Sequence, residues 1–308
     1  MRLTSFQRLA LWTTAITYFL ILVGGLVRAS GAGLGCPDWP RCFGSWVPPA
    51  SVADLPPQFD PSQFNPTLMW TEYLNRLLGI TVGFLIFATA ISAWRNHRHQ
   101  PRILWTTVAA FLLVGFEGWL GGLVVAHELA AWIVTAHLIV AIIIVQLLLY
   151  ATFEAFTGAS GASGASGASG ASGASGVSRA ALVLIVLTLV QAGFGTQVRG
   201  QIDTALDAGV TRDAALATVG RLDYWHRDLA FVVLIGATLL TLWLLSRRSP
   251  IVRWAFVTLA LAGAQIGVGV VMAYGGVIPA AQVGHLSLAS LLLGAETVLW
   301  LSSRRQSV

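Results

Sequence analysis

The chain has 308 residues, of which 56% are apolar and only 10% are charged. This composition excludes an ordinary soluble domain and is typical of a membrane protein. The net charge of +5 comes entirely from arginine, because lysine is absent. Its distribution follows membrane topology and carries no footprint of nucleic-acid binding.

Several apolar runs are long enough to cross about 30 Å of hydrocarbon. The predicted fold class is therefore an all-α membrane protein with eight transmembrane helices. The first span is too long and too poorly flanked to be a cleaved signal peptide. The predicted spans are 8–28, 72–94, 103–125, 132–154, 179–199, 224–245, 251–273 and 280–302.

Arginine clusters occur at the N-terminus, at 95–98, at 247–253 and at 304–305. With eight spans, all these clusters fall on one side of the membrane. The positive-inside rule then places both termini in the cytoplasm. We expect a multi-pass protein of the cell membrane.

The first external loop carries both cysteines of the chain, Cys36 and Cys42. Their closeness, on the side where oxidising conditions prevail, favours a local disulfide. A redox relay with a partner protein is the alternative. The rest of the loop is rich in proline, which predicts an irregular cap over the helices.

The chain contains an internal duplication. The frame Glu-Tyr-Leu-Asn-Arg at 72–76 returns as Asp-Tyr-Trp-His-Arg at 223–227, each at the start of an apolar run. About sixty residues after each frame stands a histidine inside another span, His137 and His285. We predict two pseudo-symmetric four-helix bundles, at 1–157 and 177–308. The Gly-Ala-Ser repeat at 158–176 is the predicted flexible cytoplasmic linker between them. The external loop at 200–223 is predicted to hold one short amphipathic helical stretch, Thr211 to Leu222.

The polar residues of the even-numbered spans fall at similar depths. Asn75, His137, His226 and His285 each lie within about two turns of the outer end of a span. Two imidazoles facing one another across a bundle are the usual axial pair for haem iron, which makes His226 and His285 candidate ligands. The alternative is two unrelated polar residues, each hydrogen-bonded to a backbone or serine group.

The first half differs because Asn75, a poor iron ligand, stands opposite His137. One axial position would then be weakly filled or open, which suits substrate chemistry. Glu72 lies on the same helix face as Asn75 and can place a carboxylate near a haem edge. Four arginines near the outer surface can pair with haem propionates or simply reach the membrane interface. These are Arg28, Arg76, Arg199 and Arg227.

The third span contains Glu117, and its counterpart in the second half is Gln265. An inter-helix hydrogen bond is one interpretation of this intramembrane glutamate. A protonatable functional group is the other.

In combination, these features resemble the haem A synthase family. The shared features are the eight spans, the Gly-Leu-Gly-Cys-Pro-Asp-Trp-Pro stretch at 33–40, the Glu72 frame and the histidines of spans four, six and eight. The resemblance covers nearly the whole chain. It implies oxidation of a methyl group of haem O to a formyl group, giving haem A for terminal oxidases.

The resemblance also implies residue roles. His226 and His285 match the ligands of a resident haem b, whereas Glu72 and His137 match residues of the substrate site. Cys36 and Cys42 match an external cysteine pair found in part of the family. Asn75 departs from the family pattern, where many members carry histidine, and Glu117 stands where glutamine is more usual.

Two other function classes compete with the synthase. A di-haem electron carrier resembling cytochrome b would keep both haems permanently, and the missing fourth histidine argues against it. A non-catalytic haem carrier is the third class. The expected partners are the lipid bilayer, haem O, the enzyme that makes haem O and an electron donor; a homo-oligomer is left open.

Overall fold

The structure is a computed structural model that describes residues 3–158 and 171–305. Within these residues the chain folds into α-helices joined by loops and short 3-10 turns. Cys42 and Ser45 form an isolated β-bridge in the first loop. The helices are α1 (Ser5–Ala29), α2 (Pro66–Asn96), α3 (Pro101–Ala126), α4 (Ala131–Thr157), α5 (Ala171–Asp207), α6 (Arg212–Ala215), α7 (Arg221–Ser246), α8 (Val252–Gly275) and α9 (Pro279–Arg305).

Eight of these helices, all except α6, are long and apolar enough to cross a membrane. The predicted all-α membrane fold is therefore confirmed. Large apolar side chains such as Phe84 (69% exposed) and Leu112 (65% exposed) cover the outside of the helices. In water such a surface would be unfavourable, whereas lipid tails solvate it.

The helix starts follow local sequence signals. Thr4 caps α1 through a capping box with Gln7, which satisfies two otherwise unpaired donors. Asn65 caps α2 by accepting a hydrogen bond from the Leu68 amide. Proline stands at the first position of both α2 and α3, where its missing N–H costs nothing.

The two halves pack in the same cyclic order. In the first half α1, α2, α3 and α4 each contact the next helix, and α4 returns to α1. In the second half α5, α7, α8 and α9 close a ring in the same way. The halves meet where α9 contacts α1 and α4, and where α4 contacts α5. This arrangement is consistent with the predicted pair of four-helix bundles.

The bundle has two distinct ends. We call the end that carries the α1–α2, α3–α4, α5–α7 and α8–α9 connections the histidine end, and the opposite end the linker end. Tryptophans gather near both, as expected at the two interfaces of a membrane. Those near the histidine end include Trp70, Trp119, Trp132 and Trp225; those near the linker end include Trp12, Trp94, Trp105, Trp243, Trp254 and Trp300.

The prediction of a loop at 200–223 is wrong over its first residues, because α5 continues to Asp207. Ile202 and Ala205 on this extension pack in a small apolar cluster with Val277, which gives the extra turns a buried face. The helical stretch predicted from Thr211 to Leu222 is broken into α6, a 3-10 turn at Leu216–Thr218 and the start of α7.

The predicted linker lies mostly outside the described residues, which omit 159–170. Its last residues, 171–176, belong to the first turns of α5.

Candidate functional site

In the second half, two histidines face each other at the histidine end. His226 on α7 and His285 on α9 have ring centres 6.2 Å apart, with their planes inclined at 62°. A metal–imidazole bond of about 2 Å on each side, plus about 1 Å from nitrogen to ring centre, separates two axial rings by about 6 Å. The observed spacing therefore fits an axial pair for haem iron.

Each of these rings packs against a glycine of the preceding membrane-spanning helix. A methyl group added at Gly195 would lie 3.2 Å from Cε1 of His226. The corresponding distance from Gly269 to Cε1 of His285 is 3.5 Å. The two glycines thus leave the space that the imidazoles occupy.

A backbone group orients one of these rings. Nδ1 of His226 lies 3.2 Å from the carbonyl oxygen of Gln191, four residues before Gly195. Gln265 stands in the corresponding place, four residues before Gly269, but Nδ1 of His285 has no hydrogen-bond partner among the described residues. A hydrogen bond at Nδ1 leaves Nε2 as the nitrogen available to a metal.

The first half repeats the arrangement with different chemistry. His137 on α4 packs against Gly121 on α3, with 3.5 Å between its Cε1 and an added methyl group. Its Nδ1 lies 3.1 Å from a carboxylate oxygen of Glu117, four residues before Gly121. A side chain here takes the place that a backbone carbonyl has in the second half.

The fourth position of the duplicated set is incomplete. Asn75 on α2 has its side-chain oxygen buried without a hydrogen-bond partner among the described residues. Gly24 on α1 stands four residues before Arg28, as Gly195 stands before Arg199, and a methyl group there would meet nothing within 4 Å. Asn75 also lies nine residues into α2, about 13 Å at 1.5 Å per residue, because α2 begins earlier than predicted. Measured from the helix start, it is deeper than the expected two turns.

Glu72 is buried, with 4% of its surface exposed, and both of its carboxylate oxygens are engaged. One oxygen accepts a 2.8 Å hydrogen bond from the backbone amide of Cys36. The other accepts from Arg76 at 2.5 and 3.1 Å. Arg76 in turn donates to the carbonyls of Cys36, Asp38 and Arg41. Glu72 and Arg76 therefore fasten the first loop to α2.

The loop itself is held by a disulfide between Cys36 and Cys42, which confirms the predicted bond. Both cysteines are fully buried and pack with Phe43 and Met69. The Asp38 carboxylate accepts hydrogen bonds from two loop amides. The loop is thus a compact cap with its own small core.

One face of this cap contacts the first-half histidine region. The ring of Trp39 lies against Gly122, which is the residue after the histidine-contacting Gly121. A groove of about 310 Å³ opens beside it, with Pro37, Trp119 and Leu123 among its lining residues. The cap therefore reaches the α3–α4 side of the first bundle as well as α2.

The second-half frame lacks this fastening role among the described residues. Asp223 forms a two-point ion pair with Arg227, with nitrogen–oxygen distances of 3.0 and 2.7 Å. Arg227 is 42% exposed, against 13% for Arg76. The duplicated frames therefore differ in what their carboxylates hold.

Arg28 and Arg199 share one acid, Asp203, which sequence reasoning missed. Arg199 pairs with it at 2.7 Å, and Arg28 contacts its other oxygen across the boundary between the halves. Nε of Arg28, and Nε and NH1 of Arg199, are buried without a hydrogen-bond partner among the described residues. These donors are available to an anionic group of a ligand.

A sequence signal for the ring-orienting residues exists. The pattern of a glutamate or glutamine followed four residues later by glycine occurs at Glu117, Gln191 and Gln265, each on the helix preceding a histidine. Its repetition on three helices that each precede a histidine marks Glu117 and Gln191, which lie beside Nδ1 of His137 and His226. Asp203 can be found as an i, i+4 partner of Arg199 once α5 is known to continue.

The fold and these sites define a class: an eight-helix membrane protein with an internal duplication and a histidine pair spaced for haem iron. Residues 7–297 match the family model described as cytochrome oxidase assembly protein, COX15-CtaA. The chain belongs to this family.

Relatives carrying the name heme A synthase align over part of the chain. The protein of Geobacillus kaustophilus is 35% identical over 124 residues, which are 40% of this chain and 34% of the relative. The protein of Shouchella clausii is 30% identical over 132 residues, 42% of this chain and 39% of the relative. That of Shewanella oneidensis is 30% identical over 140 residues, 44% and 42% of the two chains. These matches span less than half the length of each relative.

Proposed function

We propose that this protein is a haem A synthase, which oxidises a methyl group of haem O to the formyl group of haem A. The carrying observation is the His226–His285 pair, with ring centres 6.2 Å apart, in a chain of the cytochrome oxidase assembly family. The names of the aligned relatives support the same reaction. The net change replaces two hydrogens of the methyl group with one oxygen atom, a four-electron oxidation. With water as the oxygen source, four protons are released and four electrons pass to an external electron carrier.

In this proposal the second half holds a resident haem b. His226 and His285 would hold its iron, and the backbone carbonyl of Gln191 would orient the His226 ring. Gly195 and Gly269 keep the space for the two rings open. When bound there, the haem supplies one-electron redox chemistry.

The first half binds haem O as substrate. His137 would hold its iron, and Asn75, at the duplicated position of the second histidine, is a poor iron ligand. Arg28 and Arg199 have unpaired buried donors at the histidine end, which suits them to hold propionates. Arg227 can do so as well because it is partly exposed, whereas all three nitrogens of Arg76 are already bonded within the cap and to Glu72.

Glu72 is the proposed catalytic carboxylate. Cys36 and Arg76 fix both of its oxygens, so the group is held in one place rather than free to rotate. A fixed carboxylate can orient a water molecule or accept a proton as the methyl carbon is oxidised. Its position also ties the reaction site to the disulfide-bonded cap.

We further propose that the protein lies in the cell membrane with both termini in the cytoplasm. The arginine clusters support this orientation. The disulfide on the opposite side supports it too, because such bonds persist in oxidising surroundings. The haem O-producing enzyme and an electron carrier are the proposed partners.

The test is to identify the haems extracted from cells that make this protein together with a haem O synthase. Cells lacking any other source of haem A are required. We expect haem A to appear, and a Glu72→Gln variant at equal expression to yield haem O instead. Only haem B and haem O with the unaltered protein would reject the synthase and favour a di-haem electron carrier or a haem carrier.

A further inference from the structure

Glu117 is a buried carboxylate whose neighbour is the first-half histidine. Its side chain is 13% exposed, and one oxygen lies 3.1 Å from Nδ1 of His137. By hydrogen-bond geometry, neither carboxylate oxygen nor that Nδ1 has a partner among the described residues, so the 3.1 Å approach is the polar contact that joins them. The two side chains therefore form a polar pair between α3 and α4.

A simple tether between helices does not require a carboxylate. Ionisable groups inside a membrane are costly and an amide would bridge two helices at lower cost. The equivalent position of the second half is a glutamine, Gln265, and the group beside Nδ1 of His226 is the backbone carbonyl of Gln191. A carboxylate placed on His137 alone therefore points to a difference in what this ring does.

We infer that Glu117 is a positioning residue that holds Nδ1–H of His137 and strengthens this imidazole as an electron donor to substrate iron. The inference rests on the proposed function, in which His137 ligates haem O. A carboxylate acceptor fixes the ring tautomer with Nε2 towards the metal and raises the basicity of the ligand more than a backbone carbonyl does. A stronger donor favours the oxidised iron, so it lowers the reduction potential of the first-half haem.

The inference accounts for the asymmetry between the halves. With Asn75 opposite, one ligand carries the axial bond, and its strength then sets the properties of the site. In the second half two histidines would share this task. The acceptor beside Nδ1 of His226 is a neutral backbone carbonyl, and Nδ1 of His285 has no hydrogen-bond partner among the described residues. Glu117 would thus strengthen the one histidine ligand of the first half, because Asn75 supplies no comparable ligand.

The experiment compares purified unaltered protein with Glu117→Gln, both isolated from cells that also make haem O. Resonance Raman spectroscopy of the reduced protein reports the iron–histidine stretch, and a redox titration reports the midpoint potential of each haem. We expect Glu117→Gln to lower the stretching frequency and raise the first-half potential, while the second-half haem is unmoved. Glu117→Asp, which retracts the carboxylate by one methylene, should fall in between.

Glu296→Gln is the matched control. Glu296 is a fully buried glutamate of α9 that accepts a hydrogen bond from Thr188 on α5, and the same isosteric change there should move neither quantity. An unchanged band and potential in Glu117→Gln would overturn the inference. If the glutamine variant does not accumulate, an unaltered spectrum in Glu117→Asp would overturn it equally.

The proposed function is tested separately, by measuring whether the unaltered protein forms haem A. A chain that makes no haem A yet shows the Raman shift would lose the synthase assignment and keep the role of Glu117. If the unaltered protein makes haem A but Glu117→Gln shows no Raman shift, the synthase assignment stands and the role of Glu117 is rejected.

Discussion

The two halves share one helical plan and differ in the four positions that face the site. The second half places His226 and His285 opposite each other, with a backbone carbonyl beside Nδ1 of His226. The first half keeps one histidine, orients it with a carboxylate, and replaces the other by asparagine. In the proposed function, these few differences separate a site with two histidines from a site with one.

The carboxylates of the repeated frames differ in a parallel way. Glu72 reaches the amide of Cys36 and secures the disulfide-bonded cap, while the shorter Asp223 pairs only with its neighbour one turn along. One additional methylene therefore links the first-half site to its external loop. We infer that the cap belongs to substrate handling, because the second half has no disulfide-bonded counterpart.

The largest expected effect concerns the histidine pair. Replacing either His226 or His285 with alanine should abolish the low-spin haem b spectrum of the purified protein, because a single imidazole leaves the iron one ligand short. The control is His127→Ala, at the end of α3 and away from the pair in sequence, which should leave the haem b spectrum unchanged. Optical and electron paramagnetic resonance spectra provide the measurement. Unchanged spectra in both alanine variants would remove the axial assignment.

The next largest effect concerns the carboxylates of the two duplicated frames, Glu72 and Asp223. Glu72→Gln should reduce haem A formation about a hundredfold, the range for a lost proton-transfer group, and leave haem b of the second half in place. It should also loosen the cap, because the ion pair with Arg76 is lost, and hydrogen exchange at the Cys36 amide reports this.

Asp223→Asn is the matched change in the other half. Its partner Arg227 is 42% exposed, so stability should change by no more than about 1 kcal/mol, and haem A should still form. Equal loss of haem A in both variants would contradict the division of labour. Full haem A yield in Glu72→Gln would place the catalytic carboxylate elsewhere.

A smaller effect concerns the glycines. Replacing a helical glycine with alanine ordinarily stabilises by about 1 kcal/mol. At Gly195 the new methyl group would lie 3.2 Å from the His226 ring, and such crowding costs about 1–3 kcal/mol. Gly195→Ala should therefore weaken haem b retention on heating.

Gly24→Ala serves as its counterpart, because a methyl group there meets nothing within 4 Å. It should be neutral or slightly stabilising by thermal melting. A loss of stability in Gly24→Ala as large as in Gly195→Ala would show that a side-chain ring packs against Gly24, as the His226 ring packs against Gly195.

Much of this architecture could be predicted from the sequence. Apolar length predicts the spans, because the bilayer fixes how long a helix must be, and the duplication aligns the histidines. The cysteines, close together outside, predict their bond. These features depend on local composition and on spacing along one chain.

The remainder depends on contacts between distant segments. The burial of Glu72 beneath the cap requires the loop to fold back on α2, and nothing in the frame itself indicates the Cys36 amide. The pairing of Arg28 with Asp203 crosses the boundary between the halves. The end of α5 was misplaced because a hydropathy pattern reports lipid contact, whereas the last turns are stabilised by Arg199–Asp203 and by packing on Val277.

The most direct test of the central claim counts the spin states of the haems in protein purified together with haem O. The account predicts one low-spin haem that depends on His226 and His285, and a second haem, dependent on His137, that is not low-spin. Asn75→His should convert this second haem to low spin and slow haem A formation. Two low-spin haems in the unaltered protein, or an Asn75→His variant with the original spectrum, would contradict the account.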